Sequence, residues 1–127
     1  MALETGDYVA DLVITNPLGS DAKSLGDDHL RLCKKVLRES FAGFTSAILV
    51  SGTDGGAANT YTLTPTTALI AYGAKMLVEF TPAATNTGAS TLNISALGAK
   101  NIYSVAGAAL AAGDLVSGCY YLAVYDG

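Results

Sequence analysis

Charge is so unevenly distributed along this chain that it divides the polypeptide before any motif is read. Twelve of its eighteen charged residues lie in the first 41 of 127 positions, leaving six for the other 86. A charge-poor stretch of that length cannot cover a monomer's surface in the usual way. It predicts a β-rich packing unit with surface hidden between subunits. The charged front predicts something different, an irregular arm followed by one helix.

The helix is expected over residues 25–40. Ser24 is placed as its N-cap, with Asp27 three positions on as a short capping box. Asp27 and Asp28 fall in the first turn and Lys34, Lys35 and Arg38 towards the end, as the helix dipole favours. At ~100° per residue, Leu25, His29, Leu30, Leu32, Cys33, Val36, Leu37, Ser40 and Phe41 share about half the circumference. Asp27, Asp28, Arg31, Lys34, Lys35, Arg38 and Glu39 take the other half. So wide an apolar face has two possible partners: the chain's own β core, or further copies and a larger assembly. Four turns are too few for a stable isolated coiled coil. Ahead of the helix, residues 8–14 read as a short strand or an arm, broken at Asn16-Pro17. Such an arm has to lie on something else.

After residue 48 the pattern changes to short strands and turns. Segment 51–56 reads as a loop and 60–64 as a strand stopped by Pro65. Apolar runs follow at 68–72 and 75–80, then strand-like segments at 90–94, 101–105, 114–116 and 119–125. Six or seven strands at this spacing predict a mainly β fold, a small antiparallel sandwich or barrel-like module. The domain division is set at residues 1–44 and 45–127.

Groups able to do chemistry are few. His29 is the single histidine and projects from the apolar helix face, so catalytic triads have no base elsewhere. Asp27-Asp28-His29 cannot converge on a metal, because adjacent helical residues point to different sides. Gly52, Gly55 and Gly56 lack the Lys-Ser/Thr of a phosphate loop. The acids Asp54, Glu79, Asp114 and Asp126 are dispersed, with no pair set for a glycosidase. The expectation is a protein that is not an enzyme and needs no cofactor or metal. A net charge of −4 argues against nucleic acid, and no apolar run approaches the ~20 residues of a membrane span. No secretory signal is read at the N-terminus, so synthesis in a cytoplasm is expected, with Cys33 and Cys119 as small buried hydrophobes rather than a disulfide. Tyr121 and Tyr125 share one face of the last strand, and Tyr120 and Leu122 the other, which favours packing over a sugar-binding platform.

Several motifs in fixed order carry a resemblance. The opening Met1-Ala2-Leu3-Glu4-Thr5-Gly6 is followed by Asp11-Leu12-Val13, Thr15-Asn16-Pro17, Gly19-Ser20-Asp21 and Asp27-Asp28-His29-Leu30-Arg31-Leu32. Together they resemble the N-terminal segment of bacteriophage tail fibre proteins. Gly52-Thr53-Asp54, Tyr61-Thr62-Leu63-Thr64, Asn86-Thr87-Gly88-Ala89-Ser90-Thr91-Leu92-Asn93-Ile94 and Leu97-Gly98-Ala99-Lys100 are similar to β modules of the same family. So are Ala109-Leu110-Ala111-Ala112-Gly113-Asp114 and the closing Val124-Tyr125-Asp126-Gly127. Cys33 departs from the aliphatic residue the family pattern suggests.

The resemblance implies a structural virion component, assembled in the host cytoplasm as a homotrimer. Its N-terminal part would bind a tail or adaptor protein, and distal regions beyond this chain would meet the host surface. Tyr8, Leu12, Pro17, His29, Leu30, Cys33, Leu37 and Phe41 are the expected anchor and oligomer contacts. A capsid decoration or head-fibre protein and a receptor- or glycan-binding module are the alternatives. The modules resembled continue past Tyr125-Asp126-Gly127, so a longer native fibre is an expectation.

Overall fold

A computed structural model describes residues 5–20, 22–44 and 46–127. Residues 1–4 and Asp21 of the resembling N-terminal segment lie outside the described residues. The chain forms two compact units, Met1–Gly43 and Phe44–Gly127.

The first unit is built on helix α1, Gly26–Ser40. Ser24 does not cap it. That residue sits inside a 3-10 turn, Lys23–Leu25, and Leu25 occupies the N-cap position without a side-chain bond. The tighter turn closes the first N–H groups by backbone bonding, including Leu25 N–H to Ala22 C=O at 2.9 Å, so no hydroxyl is needed. Arg31 pairs with Asp27 at 2.8 Å and with Asp28 at 2.9 Å on the exposed charged face.

The arm is not a strand. Residues Val9–Asp11 form a 3-10 turn, and the Asp11 carboxylate accepts the N–H groups of Asp7 at 3.0 Å and Tyr8 at 2.9 Å. A local carboxylate that satisfies two backbone donors outcompetes β propensity where no sheet edge is on offer. The arm does find a partner in its own chain. Val9 N–H donates to Ser40 Oγ at 2.8 Å, and Lys35 Nζ donates to the Gly6 carbonyl at 3.2 Å and to the Asp7 carboxylate.

The second unit is mainly β, with two three-stranded sheets. One holds β1 (Leu49–Thr53), β3 (Leu77–Thr81) and β6 (Tyr121–Val124) in the order β1-β3-β6. The other holds β2 (Thr60–Leu63), β4 (Ser90–Ile94) and β5 (Ala99–Ile102) in the order β2-β4-β5. An all-antiparallel module was expected, and the pairing corrects it: β1 runs parallel to β3, and β2 parallel to β4. The chain alternates between sheets, β1 to β2 to β3 to β4, so each return to a sheet is a crossover rather than a hairpin. Only β4–β5 is joined by a tight turn, with Ser95 and Ala96 at positive φ.

Alternation then decides what is buried. Val50, Val78 and Phe80 from the first sheet meet Tyr61, Leu63, Leu92 and Ile94 from the second, with Leu69, Met76, Leu110 and Leu115 closing the core from loops. Segments 68–72 and 114–116, expected as strands, are these loops, each lending one buried leucine. Strand β1 runs through Gly52 and Thr53, where a loop was expected. Gly52 belongs there because the Leu63 side chain lies only 3.0 Å from where its Cβ would be.

Candidate functional site

The polar groups inside the second unit hold loops together. Asp54 is buried, and its carboxylate accepts N–H groups from Gly56 (2.7 Å), Thr62 (2.7 Å) and Ala83 (3.1 Å). The glycine-rich turn therefore spends its amides on the chain itself rather than on a phosphate. At Gly56 any Cβ would overlap the Thr60 carbonyl, so the close approach requires glycine. Asn86 is a second buried junction: Nδ2 donates to the carbonyls of Gly88 and Ala111, and Oδ1 accepts Leu115 N–H, each at 2.8 Å. Among the described residues, no three His, Cys, Asp or Glu side chains gather as a metal site, and no helix is long and apolar enough to cross a membrane.

The seven tyrosines divide between core and surface. Tyr61 is buried and donates its hydroxyl to the Ala84 carbonyl at 3.0 Å; burial pushes its pKa up. Tyr121 packs on Phe80 and Tyr125 on Tyr72, as the shared face of the last strand predicts. The Lys100 ammonium lies 5.2 Å and 5.6 Å from the Tyr72 and Tyr125 ring centres, an arrangement suited to cation–π attraction. Tyr8, Tyr103 and Tyr120 are exposed, and among the described residues none of them stacks on another ring.

The apolar face of α1 is divided in two. Val36 is buried, and Leu25, His29, Leu32 and Ser40 are half-buried. Leu30, Cys33, Leu37 and Phe41 remain exposed, at 64%, 51% and 40% for Leu30, Leu37 and Phe41. At ~100° per residue these four span only ~80° and make one stripe along the helix. Cys33 and Cys119 are free and exposed, not buried. On the arm, Tyr8 and Pro17 are exposed and Leu12 half-buried, so the structure brings together only the four helix positions. The N–H bonds from Tyr8 and Asp7 hold the Asp11 carboxyl below its ordinary value of 3.8. The bond to Asp7 holds Lys35 above 10.5.

A second apolar surface, not anticipated from the sequence, is the outer face of the β1-β3-β6 sheet. Leu49, Leu77 and Val124 stand side by side on one level, and Ser51, Glu79 and Leu122 on the next. Leu49, Leu122 and Val124 are 52%, 66% and 61% exposed. The alternation in 121–125 marks two faces but cannot say that one of them stays uncovered. Comparison of the chain with known protein families, curated proteins and solved structures finds no match.

Proposed function

We propose that this chain is a non-enzymatic structural component of a bacteriophage virion, a tail fibre or the N-terminal part that anchors one, acting as a homotrimer. The observation that carries the reading is the exposed stripe Leu30, Cys33, Leu37 and Phe41 on an otherwise charged helix. An apolar stripe on a helix whose remaining apolar residues are buried or half-buried within their own unit calls for a partner beyond that unit. The order of motifs resembling tail fibre proteins supplies the class of assembly. In this reading the stripes of three copies pack together, and the arm, with Tyr8 and Pro17 exposed, faces a tail or adaptor protein.

The test is the mass of the full chain in solution by light scattering, with and without Leu37→Asp. The wild type is expected at three times the chain mass of 12.9 kDa. Leu37→Asp buries three unpaired charges, a penalty of roughly 3–5 kcal/mol for each charge left uncompensated, and should disperse the oligomer. A monodisperse wild-type monomer would refute the reading. Cryo-electron microscopy of the intact particle then places the trimer on tail or capsid.

A further inference from the structure

A stripe of four side chains on a 15-residue helix is a thin basis for a stable trimer, so this inference rests on the trimer reading and asks where the second contact lies. The β1-β3-β6 sheet ends on both sides in an open strand. Leu77 N–H bonds Ile48 C=O, and Asp54 N–H bonds Thr81 C=O. The even-numbered residues of β1 therefore face β3, and the backbone groups of Leu49, Ser51 and Thr53 point away from it. At the other side Tyr125 N–H bonds Met76 C=O. That places the odd-numbered residues of β6 against β3 and turns the N–H and C=O of Leu122 and Val124 outward.

Folded proteins normally guard such edges with lysine, proline or a bulge. Here β1 reads Leu-Val-Ser-Gly-Thr and β6 Tyr-Leu-Ala-Val, with neither charge nor proline in either. Past Thr53 the β1 edge is taken, because Asp54 bridges to Leu63. The open part is Leu49 to Ser51, which forms one wall of a groove of about 600 Å³ whose other wall is segment 65–71.

We propose that β6 of one copy pairs antiparallel with β1 of the next, Val124 opposite Leu49 and Leu122 opposite Ser51, closing three sheets into a ring. Two observations favour this register. Shifting by two residues towards the end of β1 would require Thr53, at the occupied corner. In addition, Leu49, Leu77 and Val124 already share a level within one sheet, so pairing Val124 with the next Leu49 continues the row without a step. All the outer-face side chains stay on one face, and the uncovered leucines and valines of three copies form a single apolar belt. The two unlike edges join head to tail, the kind of interface that closes into a ring.

The test uses the full chain with Cys33→Val, which keeps the stripe apolar, and Cys119→Ser, a background first checked to have the wild-type mass by light scattering, carrying Leu49→Cys and Val124→Cys together or singly, with diamide as oxidant. Within one chain these positions are separated by β3, about 9.6 Å apart at ~4.8 Å per strand, beyond the ~4.4–6.8 Å a disulfide spans. Any bond must join two copies. The double variant is expected to give a non-reducing band at three chain masses, and each single variant none. Dimers from Val124→Cys alone would mean β6 pairs with β6 about a two-fold, and would overturn the ring. A trimeric wild type without cross-links overturns this contact and leaves the trimer reading standing; a monomeric wild type overturns both. As a second variant, Val124→Lys replaces an exposed side chain, so the circular dichroism should be retained while the mass falls threefold. A Val124→Lys trimer of unchanged mass overturns the contact.

Discussion

Replacing Asn86 with alanine tests most sharply whether the loops of the β unit are held by buried polar junctions. Asn86 is 1% exposed. Its side chain makes three bonds of 2.8 Å, two donated to the carbonyls of Gly88 and Ala111 and one accepted from Leu115 N–H. Its backbone bonds to Leu115 C=O and Gly113 N–H, both 2.9 Å, survive the substitution. The two donated bonds are worth ~0.5–1.5 kcal/mol each, and stranding a buried N–H costs ~1–3 kcal/mol. The sum is about 4 kcal/mol, out of the ~5–15 kcal/mol that holds a typical domain. At ~4–8 °C per kcal/mol for a domain of this size, melting should fall by roughly 16–32 °C. Urea unfolding followed by circular dichroism gives the free energy, with the neighbouring exposed Thr87→Ala as control. The control should lose less than ~1 kcal/mol, its bonds being made with Asn59 at the surface. A loss below ~1 kcal/mol for Asn86→Ala would show that the loops close without the junction, and the argument would fail.

Asp54→Ala strands the N–H groups of Gly56, Thr62 and Ala83 together, so a loss of about 3 kcal/mol or more is expected in the same urea experiment; a neutral result would show the turn to be self-supporting. In the first unit the arm should respond to acid. The folded-state pKa of Asp11 is depressed below 3.8 by the bonds from Tyr8 and Asp7. Its contribution is therefore fully present above the ordinary carboxylate value and lost as pH falls through the folded one. The Tyr8 amide resonance followed by NMR should shift with a midpoint below 3.8, and Asp11→Asn should abolish that transition; a midpoint at or above the ordinary value would contradict the assigned bonds.

What the sequence disclosed depended on how local the signal was. The helix was legible because nine positions on an apolar face and seven on a charged one separate at 3.6 residues per turn within one segment, and it ends at Ser40 as the pattern requires. Its beginning was not, because a serine three residues before an acid has the composition of a cap, while the backbone closed the turn first. Segments 60–64 and 90–94 alternate cleanly and became β2 and β4. Strand direction left no trace: Thr-Tyr-Thr-Leu reads alike whether its neighbour runs with it or against it, and only the crossovers between sheets decide. Leu69 and Leu115 looked like strand residues because they are apolar, yet their loops are fixed by single side chains. Ser95 Oγ accepts Leu69 N–H at 2.9 Å, and Asn86 holds Leu115. Such latches link residues about 26 to 29 positions apart, and no periodicity reports them.

The same distinction applies to the surfaces that bear on function. Half a helix circumference of apolar residues measures the total demand for burial but not how the chain meets it. The structure divides that arc, with Val36 buried, Leu25, His29, Leu32 and Ser40 half-buried, and Leu30, Cys33, Leu37 and Phe41 left exposed. In the β unit the low charge count has a similar resolution. Core positions account for part of it, and the outer sheet face with its two unguarded edges is one of the exposed uncharged surfaces that make up the rest. A chain that kept these surfaces bare as a monomer would carry two sites for unwanted strand and helix association. In the proposed trimer, matching them against copies of the chain would remove both liabilities and leave the charged half of α1 to face water.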